Sequence, residues 1–409
     1  MNARERLLIV LRRDGTPDRV PWAPLIDGYY LSARPPGTDI LDAFREVEAD
    51  IMERHVWTYR VNMNLPREPG AIERFQAEGK VTFEEEGVVV HLRMEPRPKG
   101  MLLTKSYEIP GRTLTESGLF TEQSPYLPFP VEPLLKSVAD MEAYEYVIKR
   151  RRFEPNYAAF VREDERIGAE GIATDSGLTS PIQELLQHSI GIEAFYTTFY
   201  TEHRAELESL MKTMHESNLK AYEVMADSPA EVVIGYENTS TSFISPAIYR
   251  EFVSPCINDY ADLLHEKDKI YLTHRCGTLG ALVDAIRDER DDGVVDISPA
   301  PTGDLPLWEA KAAWQDKIVL GGFDATFLTS WTPDEIRDYA AEILEKSGGI
   351  DRLILGSADA VPKTARVENL RAVGAFVKER ATAEEIEGRP ELGAEERTRR
   401  QNERTEGNR

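Results

Sequence analysis

The chain has 409 residues, 41% of them hydrophobic, which is enough for one large domain or two small ones. Its 49 Lys and Arg against 72 Asp and Glu give a formal net charge of −23, which argues against a nucleic-acid partner and against binding to anionic membranes. No apolar run approaches the ~20 residues of a membrane span, the N-terminus lacks the apolar part of a signal peptide, and two cysteines form no disulfide framework, so we expect a cytoplasmic protein.

The first elements predict a helix followed by strands. Residues 2–13 place apolar side chains at helical spacing, and residues 21–26 indicate a strand that contains prolines. Residues 55–61 are a second strand candidate.

The region 66–135 departs from this pattern. Its short β-rich runs are broken by Gly and Pro, which predicts β-hairpins inserted into the main fold. The basic run 149–152 follows on a predicted helix. It is either an anion-binding patch or, as is more usual for such a run, a solvated helix face.

From residue 168 onward, strands and helices alternate regularly. The predicted strands are 170–174, 231–236, 269–273, 293–297, 317–321 and 352–356. With the two N-terminal strands this gives about eight βα units, the number in a TIM (β/α)8 barrel. A doubly wound open sheet is the alternative, although no Gly-x-Gly-x-x-Gly turn follows a strand.

We therefore predict one TIM-barrel domain over residues 1–380, with the β-rich insertion at about 66–135. The insertion would cover the barrel mouth or form a contact in a homodimer. Residues 381–409 are charged and poor in large apolar side chains, which predicts a disordered tail.

Polar side chains recur where the predicted strands end, which is where a TIM barrel holds its active site. They are Asp27, His55, Asp175, Glu237, His274, Cys276, Asp296, Asp324 and Asp359. We predict catalytic roles for Asp27, Asp175 and Glu237. Asn238 and Asp324 are predicted to contact a cofactor. A surface loop rich in Asp would give the same pattern.

His274-x-Cys276 ends the strand 269–273. Residues i and i+2 of a strand point to one side, and an imidazole beside a thiolate suits zinc. A catalytic zinc needs a third protein ligand. Glu237, at the end of the preceding strand, and Asp359, at the end of the last, are the candidates.

Each of these residues also has an ordinary structural interpretation. His274 and Cys276 could be a core histidine beside an inert thiol. Either carboxylate could cap a helix or pair with Arg275. Cys256, in a predicted helix, is interpreted as a packing residue.

Several segments together resemble the uroporphyrinogen decarboxylase superfamily, whose fold is a TIM barrel. They are Asn2-Ala-Arg-Glu-Arg-Leu-Leu with Pro17–Pro21, Ile244–Pro255, His274-Arg-Cys-Gly277, Gly321-Gly-Phe-Asp324 and Asp351–Val373.

The resemblance implies one of two chemistries. True uroporphyrinogen decarboxylases carry an Arg-Gln-Ala-Gly-Arg segment, which is absent from the comparable stretch 27–34. The other branch comprises cobalamin-dependent methyltransferases, which bind zinc through His-x-Cys and a later cysteine. This chain keeps His274 and Cys276, and Asp359 stands where that branch has its second cysteine.

The resemblance therefore implies a zinc-dependent methyltransferase that acts with a corrinoid protein carrying cobalamin and with a small-molecule methyl donor or acceptor. The hard Asp359 ligand favours a donor such as an O-methylated compound. One alternative is a decarboxylase that acts on a small acid without metal, through Asp27 or Asp175. Another is a non-catalytic protein that binds a ligand in the barrel mouth.

Overall fold

A computed structural model describes residues 1–68 and 70–380 of the chain. The strands of this described part are β1 (Ile51–Val56), β2 (Tyr59–Val61), β3 (Lys80–Glu85), β4 (Val88–Arg97), β5 (Gly100–Ile109), β6 (Arg112–Phe120), β7 (Phe129–Glu132), β8 (Phe153–Pro155), β9 (Gly171–Gly177), β10 (Val232–Tyr236), β11 (Ile270–His274), β12 (Gly293–Ile297), β13 (Ile318–Phe323) and β14 (Leu353–Ser357).

The α-helices are α1 (Ala3–Arg12), α2 (Gly28–Leu31), α3 (Ile40–Glu46), α4 (Ala71–Glu78), α5 (Val138–Ile148), α6 (Tyr157–Ile167), α7 (Pro181–Glu184), α8 (Ile192–Ala194), α9 (Tyr200–Glu202), α10 (Arg204–Ala226), α11 (Pro246–Phe252), α12 (Ser254–His265), α13 (Val283–Arg287), α14 (Leu307–Ala313), α15 (Ala325–Ser330), α16 (Pro333–Lys346) and α17 (Val367–Arg380). A π-helical turn, Leu185–Ser189, continues α7, and another, Phe195–Phe199, joins α8 to α9. None of the described helices is long and apolar enough to cross a membrane.

Seven parallel strands form the main sheet, in the order β1-β9-β10-β11-β12-β13-β14. In a flat sheet β1 and β12, four strands apart, would be roughly 19 Å from each other. Yet Arg54 of β1 forms an ion pair with Asp296 of β12, with Nη1 2.7 Å from Oδ2. The sheet therefore curls as in a TIM barrel.

Within residues 1–68 and 70–380, strand pairing does not close this curled sheet into a ring, so the prediction of eight paired strands is corrected to seven. Residues 21–26, predicted as the first strand, form only two isolated bridges to the region of β14, at Trp22–Leu355 and Leu25–Ala360. Pro21 and Pro24 have no N–H to donate, which prevents a continuous ladder here.

The second predicted strand is also misplaced. β1 spans Ile51–Val56 rather than 55–61. Tyr59–Val61 belongs instead to a separate antiparallel pair with β8. Between the two strands, the N–H of Thr58 donates to Asp175 of β9, which takes this turn out of the β1 ladder.

Helix α1 lies at the amino ends of the parallel strands. Its residues Leu7, Val10 and Leu11 are buried in one apolar cluster with interior residues of the sheet, such as Ile234 and Leu272. This packing fills the amino end of the curled sheet with apolar side chains. The polar groups that follow the strands lie at the opposite, carboxyl end.

Residues 80–132 form a five-stranded antiparallel sheet, β3-β4-β5-β6-β7. Its connection between β6 and β7 reaches the carboxyl ends of the parallel strands. There the Tyr126 ring meets His55 edge-on, with centroids 6.4 Å apart, and Lys363 donates to the carbonyl of Glu122 at 2.7 Å. The predicted tail, 381–409, lies outside the described residues.

Candidate metal centre

His274, Cys276 and Asp359 meet at the carboxyl ends of the strands. His274 ends β11, Cys276 follows two residues later, and Asp359 comes just after β14. A ring nitrogen, the sulfur and a carboxylate oxygen lie within 4.8 Å of one another. Within residues 1–68 and 70–380, no other group of three or more His, Cys, Asp and Glu side chains is arranged in this way.

The histidine of this cluster is oriented by a buried ion pair. Nδ1 of His274 lies 2.6 Å from Oδ2 of Asp296, and both oxygens of Asp296 accept from Nη1 of Arg54. A proton on Nδ1 that is donated to Asp296 leaves Nε2 free for a ligand. Nε2 is the nitrogen that faces Asp359, at 3.8 Å from its Oδ1.

Burial and neighbouring charges shift the pKa values of the cluster residues in opposite directions. Burial by itself would lower the pKa of His274, but the adjacent Cys276 and Asp296 raise this pKa well above its ordinary value. Burial raises the pKa of the Cys276 thiol, while the neighbouring His274 opposes that rise. A cation in the cluster would favour the thiolate, because a metal ion deprotonates a coordinating thiol.

The donor set fits zinc. One imidazole nitrogen, one sulfur and one carboxylate oxygen are all accepted zinc ligands, and three protein ligands are typical of a catalytic site with one open position. His274 is almost fully buried, but the Asp359 side chain is 54% exposed, so the cluster is accessible from the Asp359 side.

Glu237, predicted as a zinc ligand, does not join this cluster. Tyr236 is the register partner of His274, and their rings are in contact with centroids 5.3 Å apart. Glu237, the next residue, points elsewhere, and its two oxygens accept from the N–H and the hydroxyl of Ser180 at 2.7 Å each. Burial raises the pKa of Glu237 to about 7.

Asn238, predicted to contact a cofactor, lies beside the cysteine of the cluster. Cys276 Sγ is 3.9 Å from Asn238 Oδ1. The Asn238 amide donates to Gln187, whose own amide donates to Gln183. Asn238 has a left-handed backbone, with φ of 42°, which asparagine tolerates better than most residues.

Asp27, predicted as catalytic, lies with the cluster at the rim formed by the carboxyl ends of the parallel strands. Its Oδ1 caps α2 by accepting from the N–H groups of Tyr29 and Tyr30. Burial raises the pKa of Asp27 to about 6; His55 opposes this rise, and the charges of Asp359 and Glu53 add to it. A carboxyl with such a pKa can both donate and accept a proton near neutral pH.

Asp175 and Asp324 are buried, and both hold loops in place. Asp175 accepts from the N–H and the hydroxyl of Thr58. Asp324 caps α15 through Thr326 and accepts from Thr302 in the loop after β12. Neither belongs to the cluster of His274, Cys276 and Asp359, so their predicted catalytic and cofactor roles remain predictions.

The sequence analysis did not identify two charged residues of β1 that lie near the cluster. Arg54 forms the ion pair that holds Asp296, and Glu53 is buried with Oε2 lacking a hydrogen-bond partner in the described part of the chain. The charged run Glu53-Arg54-His55, which lies between apolar residues, could have revealed them. Charged residues in such a run are expected to be buried with it, and a buried charge needs a partner. The strand predicted at 55–61 began too late to include it.

Comparison with known proteins agrees with this architecture. A family model for uroporphyrinogen decarboxylase (URO-D) matches residues 122–380, more than half of the chain. No curated protein matches the sequence. Among solved structures, a methyltransferase from Methanosarcina mazei is similar with a TM-score of 0.58 and 15% identity, over 93% of this chain and 99% of that one. This structural likeness shows a shared fold, and the family match shows that the chain belongs to the uroporphyrinogen decarboxylase family.

Proposed function

We propose that this chain is a zinc-dependent methyltransferase that moves a methyl group between a small molecule, such as an O-methylated donor, and a corrinoid protein carrying cobalamin. The observation that carries the proposal is the cluster of His274, Cys276 and Asp359. The fold shared with the methyltransferase from M. mazei supports it. Bound zinc would supply Lewis acidity to the oxygen, nitrogen or sulfur that gains or loses the methyl group.

The residues around the cluster have separate tasks in this proposal. Asp296 holds His274 in the tautomer that binds through Nε2. Before metal binds, the Cys276 thiol can donate to Asn238 Oδ1, a contact that would be lost when zinc converts the thiol to a thiolate. Asp27 is the nearby carboxyl that would pass a proton to an alkoxide or phenoxide left after demethylation, because burial raises its pKa to about 6, close to neutral pH.

The first test is the zinc content of protein purified without chelator. We expect about one zinc per chain in the wild type. His274→Ala and Cys276→Ala each remove one ligand, so we expect both to lose most of the metal. Cys256→Ser is the matched control, because Cys256 is buried in α12 and its Sγ donates to the carbonyl of Phe252. A wild type without zinc, or Cys276→Ala with as much zinc as Cys256→Ser, would contradict the proposal.

The second part of the test concerns methyl transfer. Reduced corrinoid protein mixed with the zinc-loaded chain and an O-methylated donor should develop the spectrum of methylcobalamin. The Cys276→Ala variant should not support this change. Spectra that develop equally with Cys276→Ala would place the chemistry outside the cluster.

A metal-independent decarboxylase that acts on a small acid is the second candidate. The family described as uroporphyrinogen decarboxylase and the buried Asp27 at the rim favour it. Turnover of uroporphyrinogen in the presence of a chelator, abolished by Asp27→Asn, would establish this function in place of the first.

A further inference from the structure

Arg275, which lies between the ligand candidates His274 and Cys276, points away from the candidate metal centre. Its N–H donates to the carbonyl of Val295 in β12 at 3.1 Å, so the extended chain of β11 continues through this residue. Successive side chains of an extended chain alternate between its two sides. Arg275 therefore faces the surrounding helices, where its guanidinium carbon lies 5.8 Å from the centre of the Tyr249 ring of α11.

The side chain of Arg275 ends in a buried ion pair. Its Nη2 donates to Oε2 of Glu289 at 2.6 Å and lies 3.4 Å from Oδ2 of Asp291. Glu289 also accepts from the hydroxyls of Tyr249 and Ser254, at 3.2 and 2.6 Å. The three charged side chains are at most 1% exposed. The position of the guanidinium is therefore set by partners that are themselves fixed.

Asp291 binds the same strand at a second point. Its Oδ2 accepts from the hydroxyl of Thr273 at 2.6 Å. Thr273 and Arg275 are two residues apart, so they lie on the same side of the strand, opposite His274. Lys317 balances the remaining charge, because its Nζ lies 2.6 Å from Oδ1 of Asp291. We call Arg275, Lys317, Glu289 and Asp291 the outer charge cluster.

Stability alone gives little reason for a charge at residue 275. In the described part of the chain, Nε and Nη1 of Arg275 have no hydrogen-bond partner, although both are buried. The desolvation of a buried ion pair can cost as much free energy as its attraction returns, and apolar side chains of similar volume are often at least as stable. In some proteins such a pair is retained because it fixes one arrangement of the chain.

The arrangement fixed here is that of the two ligand candidates. Arg275 is held at its backbone by β12 and at its side chain by the outer charge cluster. The next residue, Cys276, has a longer contact, 3.9 Å from Sγ to Oδ1 of Asn238. Rotation of the backbone at residue 275 would move the sulfur relative to the ring of His274. Holding Arg275 in place therefore fixes where the two donor atoms lie.

We propose that Arg275 is a positioning residue of the candidate metal centre, which sets the separation of the His274 and Cys276 donors through its buried ion pair with Glu289. The proposal rests on the metal centre of the proposed function and adds a residue that would contact neither the metal nor the substrate. Its role differs from that of Asp296, which acts on the ring of His274.

The test compares Arg275→Met, which leaves Glu289 buried without its cation, with the double variant Arg275→Met and Glu289→Gln. We expect the single variant to lose both stability in urea and zinc affinity. The double variant has no unpaired charge, so it should regain most of the stability. Its zinc affinity, measured by chelator competition, should stay about tenfold or more below that of the wild type. With Co²⁺ in place of zinc, its sulfur-to-cobalt absorption should be weaker.

Zinc affinity that returns together with stability in the double variant would overturn the inference. Lys317→Met is the matched control, because it removes a cation of the outer charge cluster that precedes β13 and lies outside the segment of the ligand candidates. It should lose stability and bind zinc like the wild type. An equal loss of zinc affinity in Lys317→Met would also overturn the inference, because the effect would then belong to the cluster in general.

Crystal structures of the metal-free wild type and of the metal-free double variant separate this inference from the proposed function. We expect Cys276 Sγ to lie at a different place relative to the ring of His274 in the variant. The same position in both would overturn the inference, whether or not the wild type binds zinc. A wild type that binds no metal, with the sulfur displaced in the variant, would contradict only the proposed function.

Discussion

At the scale of single residues, the rim contains carboxyl groups whose proton affinities are changed by burial. Asp27 and Asp175 both have pKa values raised to about 6, and Glu237 to about 7, with burial as the largest cause in each case. Their hydrogen bonds differ, however. Glu237 and Asp175 use both oxygens to accept from Ser180 and Thr58, whereas both hydrogen bonds to Asp27 go to Oδ1, and the charges of His55 and Asp359 also act on its pKa. We therefore propose Asp27, rather than the other two, for proton transfer.

The raised pKa of Asp175 predicts an unusual pH dependence of stability. The folded chain binds this proton more tightly than the unfolded chain, whose carboxyl has the ordinary pKa of 3.8. Between pH 3.8 and about 6, the contribution of Asp175 to the free energy of unfolding therefore falls as pH rises. The full cost, on the order of 3 kcal/mol at most, is present above that window.

Asp175→Asn should remove this cost, because the amide carries no charge while its oxygen can accept from the Thr58 N–H and its NH2 can donate to the Thr58 hydroxyl oxygen. We expect the variant to gain stability relative to the wild type as pH rises from 4 to 6, and to keep that gain above pH 6. Urea unfolding at a series of pH values measures it, with the exposed Asp338→Asn on α16 as the control. A difference between Asp175→Asn and the wild type that is constant over this range would refute the argument.

At the scale of elements, the connection between β6 and β7 packs closely against the carboxyl ends of the parallel strands. The ring of Tyr126 occupies the space where a Cβ on Gly28 would lie, so glycine is required there for close contact. The same connection receives the hydrogen bond from Lys363 to Glu122. The connection between β6 and β7 therefore contacts the carboxyl ends of the parallel strands. Whether the insertion covers the barrel mouth or forms a homodimer contact remains a prediction.

Gly28→Ala should displace Tyr126 and destabilise the chain by about 1–3 kcal/mol, the usual cost of overpacking. If this contact is the cause, most of the cost should disappear when Tyr126→Ala is added, because the space is then free. Urea unfolding of the two single variants and the double variant measures the coupling. Additive effects of the two substitutions would show that Gly28 matters for another reason.

At the scale of the whole molecule, the curl of the parallel sheet brings distant strands together at the candidate metal centre. Arg54 and Asp296 lie on strands that are not neighbours, and both are fully buried. Asp296 in turn orients His274. The geometry of the candidate metal centre thus depends on the curl as well as on the residues of β11.

Arg54→Met should leave Asp296 buried with His274 as its remaining charged partner, and we expect a loss of about 3–5 kcal/mol in stability. The double variant Arg54→Met with Asp296→Asn should lose less, because no unpaired charge remains.

Zinc affinity should fall about 10–100-fold in Asp296→Asn, since His274 loses its orienting carboxylate. Urea unfolding measures the changes in stability, and chelator competition measures the zinc affinity. Unchanged zinc affinity in Asp296→Asn would show that Asp296 does not contribute to the candidate metal centre.

The sequence by itself determined the regular helices and strands from residue 168 onward and the pairing of His274 with Cys276. These depend on local periodicity, on the two-residue alternation of a strand and on capping signals such as Thr332 and Pro333, which begin α16 as predicted. Asp359 was predicted as one of two possible third ligands, and the structure brings it, rather than Glu237, to the cluster.

Only the tertiary structure decided which carboxylates share a site. The choice between Glu237 and Asp359 depends on the direction of each side chain at the rim, and the roles of Glu53 and Arg54 depend on a strand boundary set by Thr58 and Asp175. The prolines at 21 and 24 leave isolated bridges where a strand was predicted. Contacts between residues more than a hundred positions apart follow from the curl of the sheet, and no local pattern in the chain encodes that curl.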